Sequence, residues 1–290
     1  MSARLLAVPN VSEGRDRAAI EAIAGAFGAG LLDVHSDPDH NRSVYTLAGR
    51  PGSLAAAVVA GATAALERID LRRHEGAHPR VGALDVAPIV YVDDAEQGAA
   101  CAEALVLADR LADELELPVF LYGALSPAGH TRAGLRRGGP EGLATRLAAG
   151  ELRPDFGPPR LHPTAGAVLV AARPPLVAFN VELAPPATLE DARRVAAQLR
   201  DGAPRGLPSV RAIGIWLAAR SRAQVSTNIE DHVEVPVARV LEAVARHAAV
   251  ERAELVGLAP RAAFDGFPEE VPVSCRGSIE DALAGLPDSL

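Results

Sequence analysis

His74-Glu75-Gly76-Ala77-His78-Pro79-Arg80-Val81-Gly82-Ala83-Leu84-Asp85-Val86 is the stretch that decides how this chain folds, because its first five residues can be read in two ways. As H-E-x-x-H they spell the zinc-protease helix, in which two histidines share one helical face and the glutamate acts as base. The physics of the segment points elsewhere. Gly76 weakens a helix between the histidines, and Pro79 pushes His78 into extended or turn geometry. The segment therefore predicts a loop holding His78 beside Pro79 and Arg80. It runs on into a β-branched apolar strand, Leu84 to Tyr91.

Working outward, the same order of elements occurs twice. Arg4 to Val8 reads as a strand and Arg17 to Phe27 as a helix. Leu31 to His35 and Ser43 to Leu47 read as strands joined by the polar turn Ser36-Asp37-Pro38-Asp39-His40, and Leu54 to Leu66 as a second helix before the Leu84 strand. A long helix, Asp94 to Leu115, and a strand, Pro118 to Tyr122, follow. In the second half, Leu176 to Leu183 is a strand and Leu189 to Leu199 a helix capped by Thr188. Val210 to Leu217 and Gln224 to Ile229 are strands, Val237 to Ala245 a helix, and Ala253 to Leu258 a strand. This predicts an α/β (α+β) fold of two ferredoxin-like β-α-β-β-α-β subdomains in tandem, residues 1–175 and 176–290. Between them Gly123 to Pro175 is rich in Gly and Pro, with one helical stretch near Pro140 to Ala149, and reads as a bridge with functional potential. The tail after Pro260 has weak periodicity and predicts loose packing.

Composition narrows the function classes. The chain has 290 residues, 49% hydrophobic, 23% charged and only 3% aromatic, so Ala, Val, Leu and Ile must build the core. All 29 basic residues are arginine, which excludes a lysine Schiff base and a P-loop lysine. A net charge of −8 argues against nucleic acid or an anionic membrane as partner. Cys101 and Cys275 carry no CxxC spacing, so neither a disulfide framework nor a thiolate metal site follows. No signal-peptide pattern and no apolar run of transmembrane length is present, which predicts a soluble, cytoplasmic protein.

Three polar clusters break the apolar pattern at strand ends: Asn10 with Ser12, Glu13 and Arg15; His35 through Arg42; and the His74 loop. Clefts of α/β proteins gather functional groups in such loops. Each cluster also reads as an ordinary satisfied turn. His78 suits proton shuttling or a structural hydrogen bond. Arg42 and Arg80 suit either bidentate carboxylate binding or a solvated surface. Four histidines in two loops keep a metal-dependent hydrolase open.

With these residues in view, the chain resembles the glutamate formimidoyltransferase family, including the N-terminal half of the bifunctional formiminotransferase-cyclodeaminases. The resemblance rests on Val8-Pro9-Asn10-Val11-Ser12-Glu13-Gly14-Arg15, Leu31-Leu32-Asp33-Val34, Asn41-Arg42-Ser43-Val44-Tyr45-Thr46 and His74 to Val86. Further on it rests on Pro154-Asp155-Phe156-Gly157-Pro158, Ala178-Phe179-Asn180 and Ala223-Gln224-Val225-Ser226-Thr227-Asn228. It implies transfer of a formimino group from N-formimino-L-glutamate to N5 of tetrahydrofolate, a co-substrate, with no metal or redox cofactor. It implies a homodimer and a separate cyclodeaminase downstream. His78, before Pro-Arg, corresponds to the proton-transferring histidine. The folate-binding stretch corresponds to Gly157, Pro158, Pro159, Arg160, Leu161, His162, Pro163, Thr164, Ala165 and Gly166. Asn10, His35, Asn41, Arg42 and Arg80 are the substrate-binding candidates. Formyl transfer from N-formylglutamate and a non-catalytic folate-binding role stay open beside the hydrolase.

Two positions depart from the bifunctional pattern. His35 replaces an aspartate, so Asp37 or Asp39 is expected to orient His78 instead. Ala165 replaces an aromatic residue, which predicts weaker pterin stacking.

Overall fold

In a computed structural model, which describes residues 4–286, the chain after a single 3₁₀ turn at Leu71–Arg73 is extended at His74 and stays non-helical to Arg80. H-E-x-x-H is a loop. The chain divides into two units, residues 4–174 and Pro175–Leu286, each with its own sheet and core. It is a mixed α/β protein. No helix among the described residues is long and apolar enough to cross a membrane.

The first unit runs β1 (Leu5–Ala7), β2 (Asn10–Val11), α1 (Arg17–Phe27), β3 (Leu31–Asp37), β4 (Arg42–Gly49), α2 (Leu54–Leu66), β5 (Leu84–Val90), α3 (Gln97–Leu115), β6 (Val119–Leu121), α4 (Arg132–Leu135), α5 (Gly139–Ala148) and β7 (Val168–Arg173). The expected first strand, Arg4 to Val8, is β1, and Pro9, which has no N–H for a ladder, separates it from the additional short strand β2. β1 and β2 lie between β4 and β5, antiparallel to both, and β3 borders β4. β7 and β6 extend the sheet, parallel to β5.

Alternation along the strands sorts the two faces. Leu5, Ala7, Tyr45, Leu47, Ala87 and Ile89 share a core with α1, α2 and α3. Val86, Phe120, Tyr122, Leu169 and Ala171 cluster instead with Leu135 of α4 and Leu143 of α5. On the first face the Phe27 ring presses against Gly61 of α2, where any Cβ would fall 2.2 Å from a ring carbon. Burying such a ring contributes about 1.5–3 kcal/mol. Ser53 gives α2 no side-chain cap. Buried Glu103 of α3 does so from across the interface, accepting the Ala55 N–H at 2.6 Å and that of Gly52.

The second unit runs β8 (Val177–Leu183), α6 (Leu189–Leu199), β9 (Val210–Leu217), β10 (Arg222–Ile229), α7 (Val237–Ala245) and β11 (Val250–Val256), then β12 (Leu258–Ala259), β13 (Val273–Ser274), β14 (Gly277–Ser278) and α8 (Ile279–Ala284). Its sheet has the order β9-β10-β8-β11-β13. Thr188 and Asp191 form a reciprocal capping box on α6, as the Thr188 cap predicted.

Two expectations need correction. Gly123 to Pro175 is no bridge: β7 lies in the first sheet between β5 and β6, and α4 and α5 cover one of its faces. Val168 to Ala172 is a short continuous apolar run, the pattern of a strand buried on both faces, which the flanking Gly and Pro residues obscured. The segment after Pro260 does not pack loosely either. Phe264 and Phe267 meet the Phe179 ring edge-on, at centroid distances of 6.3 and 5.9 Å. Three aromatics with irregular spacing give no period to read.

Candidate active site

The candidate site forms where β2, the β3–β4 hairpin and the His74 loop converge in the first unit. Asn41, last residue of the turn, takes the left-handed conformation (φ 48°), which Asn tolerates better than most residues. Its side chain then joins three loops. Oδ1 accepts the Gly14 N–H at 2.9 Å, and Nδ2 donates to the Glu75 carbonyl at 2.8 Å. The His74 ring donates through Nε2 to the Asn41 carbonyl at 3.0 Å. Gly76 fits only because it is glycine, since a Cβ would lie 2.5 Å from the His40 carbonyl oxygen.

This frame delivers His78 to Arg42. Arg42 Nη1 lies 2.6 Å from His78 Nε2. A guanidinium only donates, so Nε2 carries the lone pair and the ring is neutral. The His40 ring stacks on it at a centroid distance of 5.9 Å. Burial, then Arg42, Arg136 and His40, hold the His78 pKa well below the usual imidazole range, opposed by the Pro79 backbone. Burial likewise pulls Arg42 down to about 10, with Arg136 adding to the effect. Arg42 nevertheless stays charged at neutral pH.

The Nε2 atom of His78 faces Arg42 rather than Asp37 or Asp39, the carboxylates expected to orient the ring. Asp37 accepts the His40 N–H at 2.8 Å, and its charge acts on Arg42. His35 is buried in β3 opposite Val44, and its charge acts on Asp33. Asn10 donates to the Val8 carbonyl at 3.0 Å, bracing the break between β1 and β2. Arg80 turns back on its own loop, donating to the carbonyls of His74 (2.5 Å) and Gly76 (3.4 Å). Among the described residues no three His, Cys, Asp or Glu side chains converge as a metal-ligand set.

The stretch 157–166 joins the same frame through its end. The Ala83 N–H donates to the Ala165 carbonyl at 2.8 Å, the Ala167 N–H to the Val81 carbonyl at 3.0 Å, and Gly82 bridges Gly166. The Ala165 N–H donates to His162 Nδ1 at 3.0 Å. Pro159, Arg160 and Pro163 are exposed and their neighbours Leu161, His162 and Thr164 half-buried. Ala165 is only 1% exposed and belongs to the apolar core, so it offers no face to a pterin.

Sequence reading missed a buried ion pair beside the site. Asp85 accepts the Val81 N–H at 2.7 Å and pairs with Arg136, which follows α4. The signal for Asp85 was a carboxylate inside an apolar strand. Arg136 sits in a Gly-rich segment with no pattern around it.

Two family models match the chain: the N-terminal subdomain of the formiminotransferase domain over residues 4–173, and the formiminotransferase domain over residues 178–265. Formimidoyltransferase-cyclodeaminase of Sus scrofa is 41% identical over 278 residues, 90% of this chain and 51% of the relative. That of Rattus norvegicus is 39% identical over 276 residues, again 90% of this chain and 51% of the relative. The chain thus spans about half the length of these bifunctional relatives. Glutamate formimidoyltransferase of Streptococcus pyogenes serotype M1 is 38% identical over 268 residues, covering 89% of both chains.

Proposed function

The chain belongs to the formiminotransferase family, and from that premise we propose that it transfers the formimino group of N-formimino-L-glutamate to N5 of tetrahydrofolate. The observation that carries this reading is the similarity to a glutamate formimidoyltransferase over 89% of both chains. His78 is the proposed general acid and base. N5 attacks the amidine carbon and becomes an ammonium in the tetrahedral intermediate. His78 takes the N5 proton and returns it to the glutamate nitrogen, whose bond to carbon then breaks. Glutamate and 5-formiminotetrahydrofolate leave, and the proton balance is zero.

The geometry supplies a resting state for this cycle. Arg42 occupies the Nε2 lone pair of His78 until a carboxylate competes for the guanidinium, so donor binding frees the base. A neutral imidazole then meets the proton it must accept. Tetrahydrofolate is the co-substrate, resting against residues 157–164, with Ala165 and Gly166 fixing the end of that stretch. Asn10, Asn41 and His35 shape the pocket rather than grip the donor.

The finer architecture belongs to the same reading. The strand orders β3-β4-β1-β5 and β9-β10-β8-β11 support two ferredoxin-like β-α-β-β-α-β subdomains, residues 1–175 and 176–290. A cytoplasmic homodimer whose product passes to a cyclodeaminase activity, with no metal or redox cofactor, completes it.

Turnover assays with formiminoglutamate or formylglutamate and tetrahydrofolate test the reading. We expect the formimino donor to be used, and His78→Ala to lower kcat by about 10²-fold or more while tetrahydrofolate still binds. His74→Ala should cost less. Preferential use of formylglutamate, or full turnover by His78→Ala, overturns the corresponding part.

A further inference from the structure

A glutamate donor carries two carboxylates, and of the two arginines that sequence offered for them Arg42 is the one bonded to His78. Arg80 donates to the carbonyls of its own loop. The charges that weigh most on Arg42 are Arg136 and Arg132 on one side and Asp85 and Asp37 on the other. Guanidiniums gathered in a largely buried setting suit the binding of an anion.

The same region holds unmet hydrogen-bonding capacity. Arg136 gives Nη2 to Asp85, but its buried Nε has no hydrogen-bond partner. The buried Tyr122 hydroxyl has none either, and the Arg132 guanidinium lies over the Tyr122 ring at 5.9 Å. Buried donors are rarely left unsatisfied, and guanidiniums and hydroxyls are donors suited to a carboxylate. Asp85, 1% exposed and bonded to Val81 three residues beyond His78, fixes Arg136 relative to the proton relay.

We propose that Arg136 and Arg132, steadied by Asp85 and Tyr122, form the subsite for the side-chain carboxylate of the glutamate donor. Arg42, bonded to His78, is left for the α-carboxylate next to the reacting nitrogen. The subsite rests on the formimino-transfer reading for its substrate, and on its own geometry for its preference for a dicarboxylate.

The test compares wild type with Arg132→Gln and Arg136→Lys, using the exposed neighbour Arg137→Gln as control. Steady-state kinetics use formiminoglutamate and its side-chain amide, and calorimetry measures binding of L-glutamate, which needs no turnover. Arg132→Gln lies outside the buried ion pair and keeps the test alive if Arg136→Lys fails to fold. We expect both variants to raise the donor KM and weaken L-glutamate binding by about tenfold or more. The preference for dicarboxylate over amide should collapse, with the KM for tetrahydrofolate and the control unchanged. Losses confined to kcat or to tetrahydrofolate overturn the proposal, the latter reassigning these arginines to the folate tail. Equal L-glutamate binding by wild type and variants, or none by wild type, also overturns it. If wild type binds L-glutamate through these arginines yet transfers no formimino group, the function falls and the subsite stands.

Discussion

Glu103 should prove one of the most costly single carboxylates to remove, although it lies far in sequence from the helix it caps. It is 4% exposed, accepts the buried Ala55 N–H at 2.6 Å and the part-buried Gly52 N–H, and stands at the positive end of α2. A buried hydrogen bond to a charged group contributes about 1.5–3 kcal/mol, and a part-buried one about half of that. The helix dipole adds about 0.3–1 kcal/mol. Glu103→Ala should therefore cost about 2.5–5.5 kcal/mol, and Glu103→Gln, which keeps one acceptor but loses the charge, roughly half as much. At about 2–4 °C per kcal/mol for a unit of this size, the Ala variant should melt at least 4 °C lower. Urea unfolding followed by far-UV circular dichroism reads this as a lower midpoint at unchanged slope. An Ala variant within about 0.5 kcal/mol of wild type, or a Gln variant less stable than Ala, would refute the capping argument.

Four further outcomes follow from the site. Because burial and Arg42 depress the His78 pKa, the acidic limb of kcat/KM should lie below the ordinary histidine range, and Arg42→Gln should move it upward; an unmoved limb means another group controls it. The sign for stability follows from the same depression: the unfolded chain takes up the His78 proton below about pH 6.5 while the folded chain resists, so stability falls as pH drops from there toward the folded pKa, and His78→Gln should flatten that loss in acid-unfolding curves. Arg80→Ala should destabilise by about 1–3 kcal/mol and lower kcat without changing the donor KM, whereas a raised KM would return Arg80 to substrate binding. Ala165→Phe should overpack the core by about 1–3 kcal/mol and gain no folate affinity, so tighter tetrahydrofolate binding would restore the stacking idea.

What the sequence disclosed was local. Pro79 and Gly76 disposed of the zinc helix without any tertiary information, and the helices at 17–27, 54–66, 189–199 and 237–245 follow from periodicity, with a cap legible at Thr188. The strand at 168–173 was lost because Gly and Pro on both sides outweighed five apolar residues in a row. His78 and Arg42 were both nominated, but not their pairing, since 36 residues separate them and only the Asn41 junction brings them together. Asp37 or Asp39 was expected to orient His78 because both lie near His35, which replaces the aspartate of the bifunctional pattern, yet the Asp37 carboxylate accepts the His40 N–H within the turn. Arg136 acquires meaning only from Asp85, 51 residues earlier, a partnership that no one-dimensional pattern encodes.

The junction of residues 81–83 with 165–167 sets a rule for how such a protein can diversify. A Cβ on Gly82 would fall 1.9 Å from the Ala167 carbonyl oxygen, and one on Gly166 2.1 Å from that of Val81, so neither side can accept even a methyl group without parting from the other. The arm that carries His78 and the arm proposed for the acceptor are thereby one mechanical part. A change of acceptor must be written on the outer arc from Pro158 to Thr164, whose side chains are open to revision. A lengthening nearer the glycines would shift the imidazole as well, and the cost of accommodating a new acceptor would be paid in turnover of every donor.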